Sequence, residues 1–192
     1  MRSIELRWFC EREPSEAALE RFADRGHVEA RTDHYLWGDD EAIGVKLRGG
    51  QLETKRRSRV EPFELDRPGL AHIRGTLEHW QKSIEPPRSA QPSERWIAVD
   101  KQRALRSMSN ARAELTRLEL HASPGLLLRG AAVQASVAFE VFPGAGVSAL
   151  RRAVEELADE PEFSTLGPLR ECMAAWSGGY PAWLLRCFTL AA

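Results

Sequence analysis

Cysteine is scarce in this sequence, and the few there are form no recognisable pattern. Cys10, Cys172 and Cys187 are odd in number and far apart, with no CxxC pair of the kind that zinc and dithiol sites use. The expectation is three free thiols in a reducing compartment, with no bridge. Long apolar runs are also missing. The N-terminal MRSIELRWF enters a strand-like alternation at once, and nothing approaches the length of a secretory leader or a membrane span. That points to a cytoplasmic protein with no membrane partner. Net charge is missing too, since 27 Lys and Arg stand against 28 Asp and Glu. Without a global basic field a nucleic-acid polymer is not an expected partner, and any anion site has to be local.

Familiar catalytic signatures are absent as well. There is no GxGxxG, no P-loop and no GxSxG elbow. The histidines His27, His34, His72, His79 and His121 have no HExxH or Cys/His ligand spacing, and His72 and His79 read as a helical i,i+7 pair. No cysteine has a neighbouring histidine in sequence, so buried thiols fit better than nucleophiles. The tryptophans, among them Trp8, Trp37, Trp80 and Trp96, lack a basic stripe beside them and read as core.

What is present is a hairpin with two different faces, Ile43 to Arg57, IGVKLRGGQLETKRR. Glycine accepts the positive φ of a primed two-residue turn, so Gly49-Gly50 at the tip pairs Arg48 with Gln51, Lys46 with Glu53 and Gly44 with Lys55. Side chains alternate across a strand, which puts Lys46, Arg48, Glu53, Lys55 and Arg57 on one face and Ile43, Val45, Leu47, Leu52 and Thr54 on the other. One face suits a core and the other suits an anion.

The rest of the chain repeats that two-sidedness. Ser3, Glu5, Arg7 and Phe9 alternate with Ile4, Leu6 and Trp8 in a first strand. Ser15 caps a short helix with a core stripe of Ala18, Leu19 and Phe22, and Gly26 stops it. RTDHYLW (31–37) reads as a strand, GDDE as a loop, and Val60 to Leu65 as an extension of the sheet bent at Pro62. Leu70, Ile73, Leu77 and Trp80 fall at helical spacing and predict a helix opening at Pro68-Gly69. EPPRSAQPSE (85–94) is a surface loop. ERWIAVDKQR, ELTRLELHA and VQASVAFEVF are three further strands, the last with Glu140 on its polar side. VSALRRAVEELADE is an amphipathic helix, and Leu169 to Trp176 and Pro181 to Phe188 are two short ones. The class expected is α+β: one domain over 1–192, with an antiparallel sheet or barrel in 1–144, flanking helices and a helical tail in 145–192.

Those residues together resemble the CYTH superfamily, the triphosphate tunnel metalloenzymes, in a divergent bacterial- and plant-like branch. The family opens on an ExExK strand, whose place Ser3-Ile4-Glu5-Leu6-Arg7 occupies here with serine for the first glutamate and arginine for the lysine. VKLRGGQLETKRR is similar to its inward basic strands and WIAVDKQR to the next one. ELTRLEL, FEVF and SGGYPAWLL are similar to the later strands and C-terminal helix. The resemblance implies a tunnel-like antiparallel barrel, closed or with a gap, that binds a phosphate-rich anion such as inorganic triphosphate, a nucleoside triphosphate or another organic phosphate. It implies substrate contacts from Arg7, Lys46, Arg48, Lys55, Arg57, Lys101 and Arg103. It also implies Mg²⁺ or Mn²⁺ held by Glu5, Glu53, Glu114 and Glu140, with Glu5 and Glu140 as catalytic carboxylates of a metal-dependent triphosphatase. Several cations converging from different strands suit such a ligand, because its many acceptor oxygens take bidentate arginine well.

Two departures bear on catalysis. Ser3 and Ala138 stand where the family carries metal-binding carboxylates, which favours holding a polyanion over hydrolysing it unless Glu114 or Glu119 substitutes as a ligand. The competing reading is an interaction or structural domain whose inward charges only pair with one another, as Lys46 with Glu53. An excess of inward cations over carboxylates speaks against that reading, since unpaired buried charge is costly.

Overall fold

The computed structural model describes residues 1–66, 72–85, 95–108, 110–129, 135–160, 173 and 176–190. Among the described residues eleven strands and three α-helices follow in chain order: β1 (Arg2–Cys10), α1 (Glu16–Phe22), β2 (Val28–Leu36), β3 (Ile43–Arg48), β4 (Gln51–Leu65), β5 (Ile73–Glu85), β6 (Trp96–Met108), β7 (Ala111–Ala122), β8 (Leu126–Leu128), β9 (Ala135–Val141), α2 (Val147–Asp159), β10 (Trp176–Ser177), α3 (Tyr180–Cys187) and β11 (Phe188–Leu190). Eight of the strands close on themselves in the order β1-β5-β4-β3-β2-β6-β7-β9, and β9 pairs back onto β1. Every pairing is antiparallel. Closure leaves no edge among these eight, which is how a sheet of this size avoids exposed backbone donors and acceptors.

The central hairpin has the register its sequence dictates, Arg48↔Gln51, Lys46↔Glu53 and Gly44↔Lys55. Gly49 and Gly50 both adopt positive φ, 52° and 78°. Its apolar face, Ile43, Val45 and Leu47, is only half-buried on the outer wall. β4 continues to Leu65 through a register shift between Arg57 and Arg59. That bulge reverses the strand's parity, so Lys55 and Arg57 point inward while Phe63 and Leu65, also odd-numbered, pack outward.

A first core lies outside the barrel wall. The outward residues of β7 and β9, Ala111, Ala113, Leu115, Val137, Phe139 and Val141, are covered by Leu150, Val154 and Leu157 of α2 and by Leu19 and Phe22 of α1. The Ser15 hydroxyl caps α1 by accepting from Ala18 N at 3.2 Å. A second core lies inside the barrel at one end: Phe9, Tyr35, Ile97, Val99 and Leu118 surround Trp183 and Leu184 of α3. The helix is therefore a plug. Pro181 rests against the bare backbone of Gly44, where an added Cβ would lie 3.0 Å from its Cγ.

Three expectations are corrected. Ile73 to Trp80 belongs to strand β5, not to a helix, and residues 67–71 lie outside the described residues. A barrel strand covered on both sides need not alternate cleanly, so Leu77 outward and Glu78 and Trp80 inward imitate helical spacing. His79 accordingly faces outward and meets Glu61 at 2.6 Å rather than sharing a helix with His72. Trp176 belongs to the short strand β10, while most of the helix expected over 169–176 falls outside the described residues. Cys10 is disulfide-bonded rather than a free thiol, and Cys187 is a buried free thiol. The expectation of three free thiols without a bridge is thereby corrected. Among the described residues no helix is long and apolar enough to cross a membrane.

Candidate functional site

The barrel interior is graded along its axis because the inward residues of several wall strands pass from charged to apolar along their length. β1 runs from Ser3, Glu5 and Arg7 to Phe9; β6 runs back from Arg103 and Lys101 to Val99 and Ile97; β7 runs from Arg112 and Glu114 to Leu118. The antiparallel registers align these transitions. The charged half encloses a cavity of about 250 Å³. Its floor is Tyr180 of α3, stacked on Tyr35 with ring centroids 4.8 Å apart and carrying Lys101 Nζ 3.9 Å from its centroid on the ring face.

Of the cations expected from sequence, Arg7, Lys46, Arg48, Lys55, Lys101 and Arg103 line this cavity. Arg57 is a correction: it lies off the cavity, clasped by Glu78 at 2.7 Å and Glu41 at 2.6 Å. Arg31, Lys82 and Arg112 line the cavity as well and were missed. Parity along RTDHYLW would have exposed Arg31. Lys82 lay beyond a segment misread as helix, and Arg112 lay two residues before the expected start of its strand. Among the described residues nine Lys and Arg line the cavity, against four carboxylates, Glu5, Glu53, Glu114 and Glu140.

All four expected carboxylates are thus inward, and each meets a cation. Glu5 is bonded by Lys55 and by the Ser3 hydroxyl. Glu53 takes Lys46 at 2.8 Å and Lys82 at 3.0 Å; burial alone would raise its pKa, but the two ammonium groups lower it to about 2. Glu114 takes Arg7 at 3.1 Å on one oxygen and the Nε and Nη2 of Arg103 on the other, while Arg103 Nη1 turns to Glu29 at 2.8 Å; Arg7 and Arg103 hold Glu114 well below the usual carboxylate range against its burial. Glu140 takes Arg112 at 2.7 Å in the most exposed of these pairs.

The deepest carboxylate is one that sequence reasoning missed. Asp33 is fully buried and receives Arg48 bidentately at 2.6 and 3.0 Å, with Lys101 at 2.8 Å. Those contacts overcome its burial and keep it ionised. Glu78, also missed, is buried beneath the plug, where it accepts from Trp80 Nε1 and from the Gly179 backbone that opens α3. Burial pushes its pKa up despite Arg57. The cations differ as well. Burial and the neighbouring Arg48 lower Lys46 to about 7, and burial lowers Lys101 to about 7.

The donor set does not fit a divalent metal. Glu5 and Glu140 are cross-strand neighbours on β1 and β9 in a row that runs on to Glu78 of β5 one way and Arg112 of β7 the other, but each of these three carboxylates is engaged by a cation, Lys55, Arg112 and Arg57 in turn, and Ser3 and Ala138 supply no carboxylate. Among the described residues the group of metal-type side chains close enough to share an ion is Asp100, Glu119 and His121. These face outward on β6 and β7, with Asp100 also taken by Thr32. Glu119 is 75% exposed there and cannot replace a missing ligand in the tunnel.

No family model matches the sequence, nor does any curated protein. Among solved structures the chain is similar to the S. pombe Pct1 RNA triphosphatase, with 14% identity, a TM-score of 0.42, and coverage of 96% of this chain and 84% of that one. The same enzyme in complex with the Spt5 CTD gives 11% identity, a TM-score of 0.40, and coverage of 96% and 85%.

Proposed function

We propose that the barrel interior binds a phosphate-rich anion. The observation that carries this reading is the nine-to-four surplus of cations over carboxylates around a cavity open at one end and plugged at the other. Asp33 beneath them still leaves a surplus. Multiple cations drawn from different strands suit a chain of phosphates, whose oxygens accept from each in turn. Arg7, Lys46, Arg48, Lys55, Lys101 and Arg103, joined by Arg31, Lys82 and Arg112, are the ligand contacts in this proposal. The cavity equals about eight water volumes at roughly 30 Å³ each, room for a short phosphate chain. The nucleoside of a nucleotide would project from the mouth. The CYTH-like character and its bacterial- and plant-like branch belong to the same proposal, as does a cytoplasmic setting.

The competing reading, an interaction or structural domain whose barrel charges merely neutralise each other, has in its favour that each lining carboxylate is paired. Against it stands the surplus itself, since like charges crowded out of water repel. Glu5 and Glu140, expected as catalytic, are each engaged by a cation, so the proposal is of binding, and hydrolysis is left to assay. The test is thermal shift with tripolyphosphate and nucleoside triphosphates beside phosphate release with Mg²⁺ or Mn²⁺, on wild type, Lys46→Ala and Glu140→Ala. Lys46→Ala spares the fold because Glu53 keeps Lys82. Stabilisation by tripolyphosphate that shrinks in Lys46→Ala is expected. No shift with any phosphate would overturn the reading.

A further inference from the structure

We propose that the tunnel takes its polyphosphate as the metal-free anion, with Arg112 at the mouth occupying the charge position a divalent ion would need; this rests on the phosphate-binding reading above. A hard divalent cation bound between protein and phosphate requires carboxylate oxygens turned toward it and not already neutralised. Among the described residues each inward carboxylate, Glu5, Asp33, Glu53, Glu78, Glu114 and Glu140, is already engaged by a cation. The best-placed pair, Glu5 and Glu140, stand opposite each other on β1 and β9, yet Lys55 and Ser3 hold the first and Arg112 holds the second at 2.7 Å. Register puts Arg112 opposite Glu140 on one side and Glu78 opposite Glu5 on the other, so the row across the wall reads Arg112, Glu140, Glu5, Glu78, the last of them held by Arg57 at 2.7 Å. An ion seated on that row would lie beside a guanidinium and an ammonium and be repelled by both.

The surplus of positive charge points the same way. A divalent ion cancels part of the charge of a polyphosphate before it arrives, whereas the tunnel is built with cations in excess and so complements the unchelated form better. In this site the arginines and lysines do the neutralising that a metal would otherwise do.

Calorimetric titration of tripolyphosphate into the full chain, in EDTA and again with millimolar Mg²⁺ or Mn²⁺, reads this directly. The expected result is saturable binding in EDTA that Mg²⁺ leaves unchanged or weakens by chelating free ligand. Mn²⁺ titrated alone and followed by electron paramagnetic resonance is expected to find no tunnel site in wild type. Arg112→Glu, at a half-exposed position, adds a fourth carboxylate to the row of Glu140, Glu5 and Glu78 and frees Glu140 of its cation. It is expected to gain Mn²⁺ binding and to lose affinity for unchelated tripolyphosphate at least tenfold. Binding that requires metal, or that tightens tenfold or more with it, overturns the inference while sparing the phosphate-binding reading. No binding in either buffer overturns both.

Discussion

Asp33 and Glu140 are both ion-paired carboxylates of the barrel interior, yet their surroundings assign them different consequences. Asp33 has no exposure and three cations on it, Arg31, Arg48 and Lys101, so removing its charge leaves the buried Lys101 without its carboxylate. Asp33→Ala is expected to cost about 3–5 kcal/mol in chemical denaturation, the range for breaking a buried ion pair. Glu140 is 36% exposed, and water screens its pair with Arg112. Glu140→Ala is expected to change stability by less than about 1 kcal/mol.

Lys46 and Lys101 give the site a pH dependence whose sign differs between stability and binding. Both have folded pKa values lowered to about 7, below the ordinary lysine value, so the folded chain binds these protons more weakly than the unfolded chain does. Their contribution to the ligand-free protein therefore rises as pH climbs from about 7 toward the unfolded lysine value, and is lost on the way down. A bound polyanion needs the charged ammonium, so its affinity falls over the same window, by up to about tenfold per pH unit for each lysine that must charge. Parallel thermal melts and calorimetric titrations between about pH 7 and 9 check both signs. Affinity that rises across this range would contradict the roles given to these lysines. Asp33 was not legible because a buried acid on an aromatic strand has no local mark of its own. Glu53, by contrast, was placed by its hairpin register alone.

Helix α3 decides whether the interior is a through-channel or a pocket closed at one end. Its seat depends on two points where backbone comes too close for a side chain. At Gly179 a Cβ would lie 2.5 Å from Glu78 Oε2 and 2.9 Å from Trp80 Cζ2, and at Gly44 it would meet Pro181. Gly179→Ala is therefore expected to unseat the plug, with faster amide exchange in 180–187 and weaker binding of tripolyphosphate. Unchanged exchange there would show that the plug is not held at this contact. Trp183→Ala, which empties the stack against Phe9 at 4.4 Å, is expected to cost about 3–5 kcal/mol. The elements readable from sequence are those whose two faces differ in polarity, whether or not either face is wet: α1, α2, β3, β9 and the start of β1. β5 was misread because both of its faces are covered, and the bulge in β4 after Arg57 left no trace that alternation alone could reveal.

At the scale of the molecule, the near-neutral total charge conceals a segregation. Twenty-seven Lys and Arg against 28 Asp and Glu average to nothing, but folding gathers nine of the cations around one cavity and leaves many acids outside. That concentration was legible only in outline, as cations alternating on several strands. Its true membership needed the barrel's registers, which bring Arg31, Lys82 and Arg112 in from strands far apart in sequence and turn Arg57 aside to Glu78. The central claim is that this surplus exists to meet a polyanion. A crystal structure of the chain soaked in tripolyphosphate tests it most directly. The account predicts phosphate density within the barrel, between Tyr180 at the floor and Arg112 at the mouth, in contact with Lys46 and Arg103. Density confined to the outer surface, or an interior holding only water at saturating ligand, would contradict it.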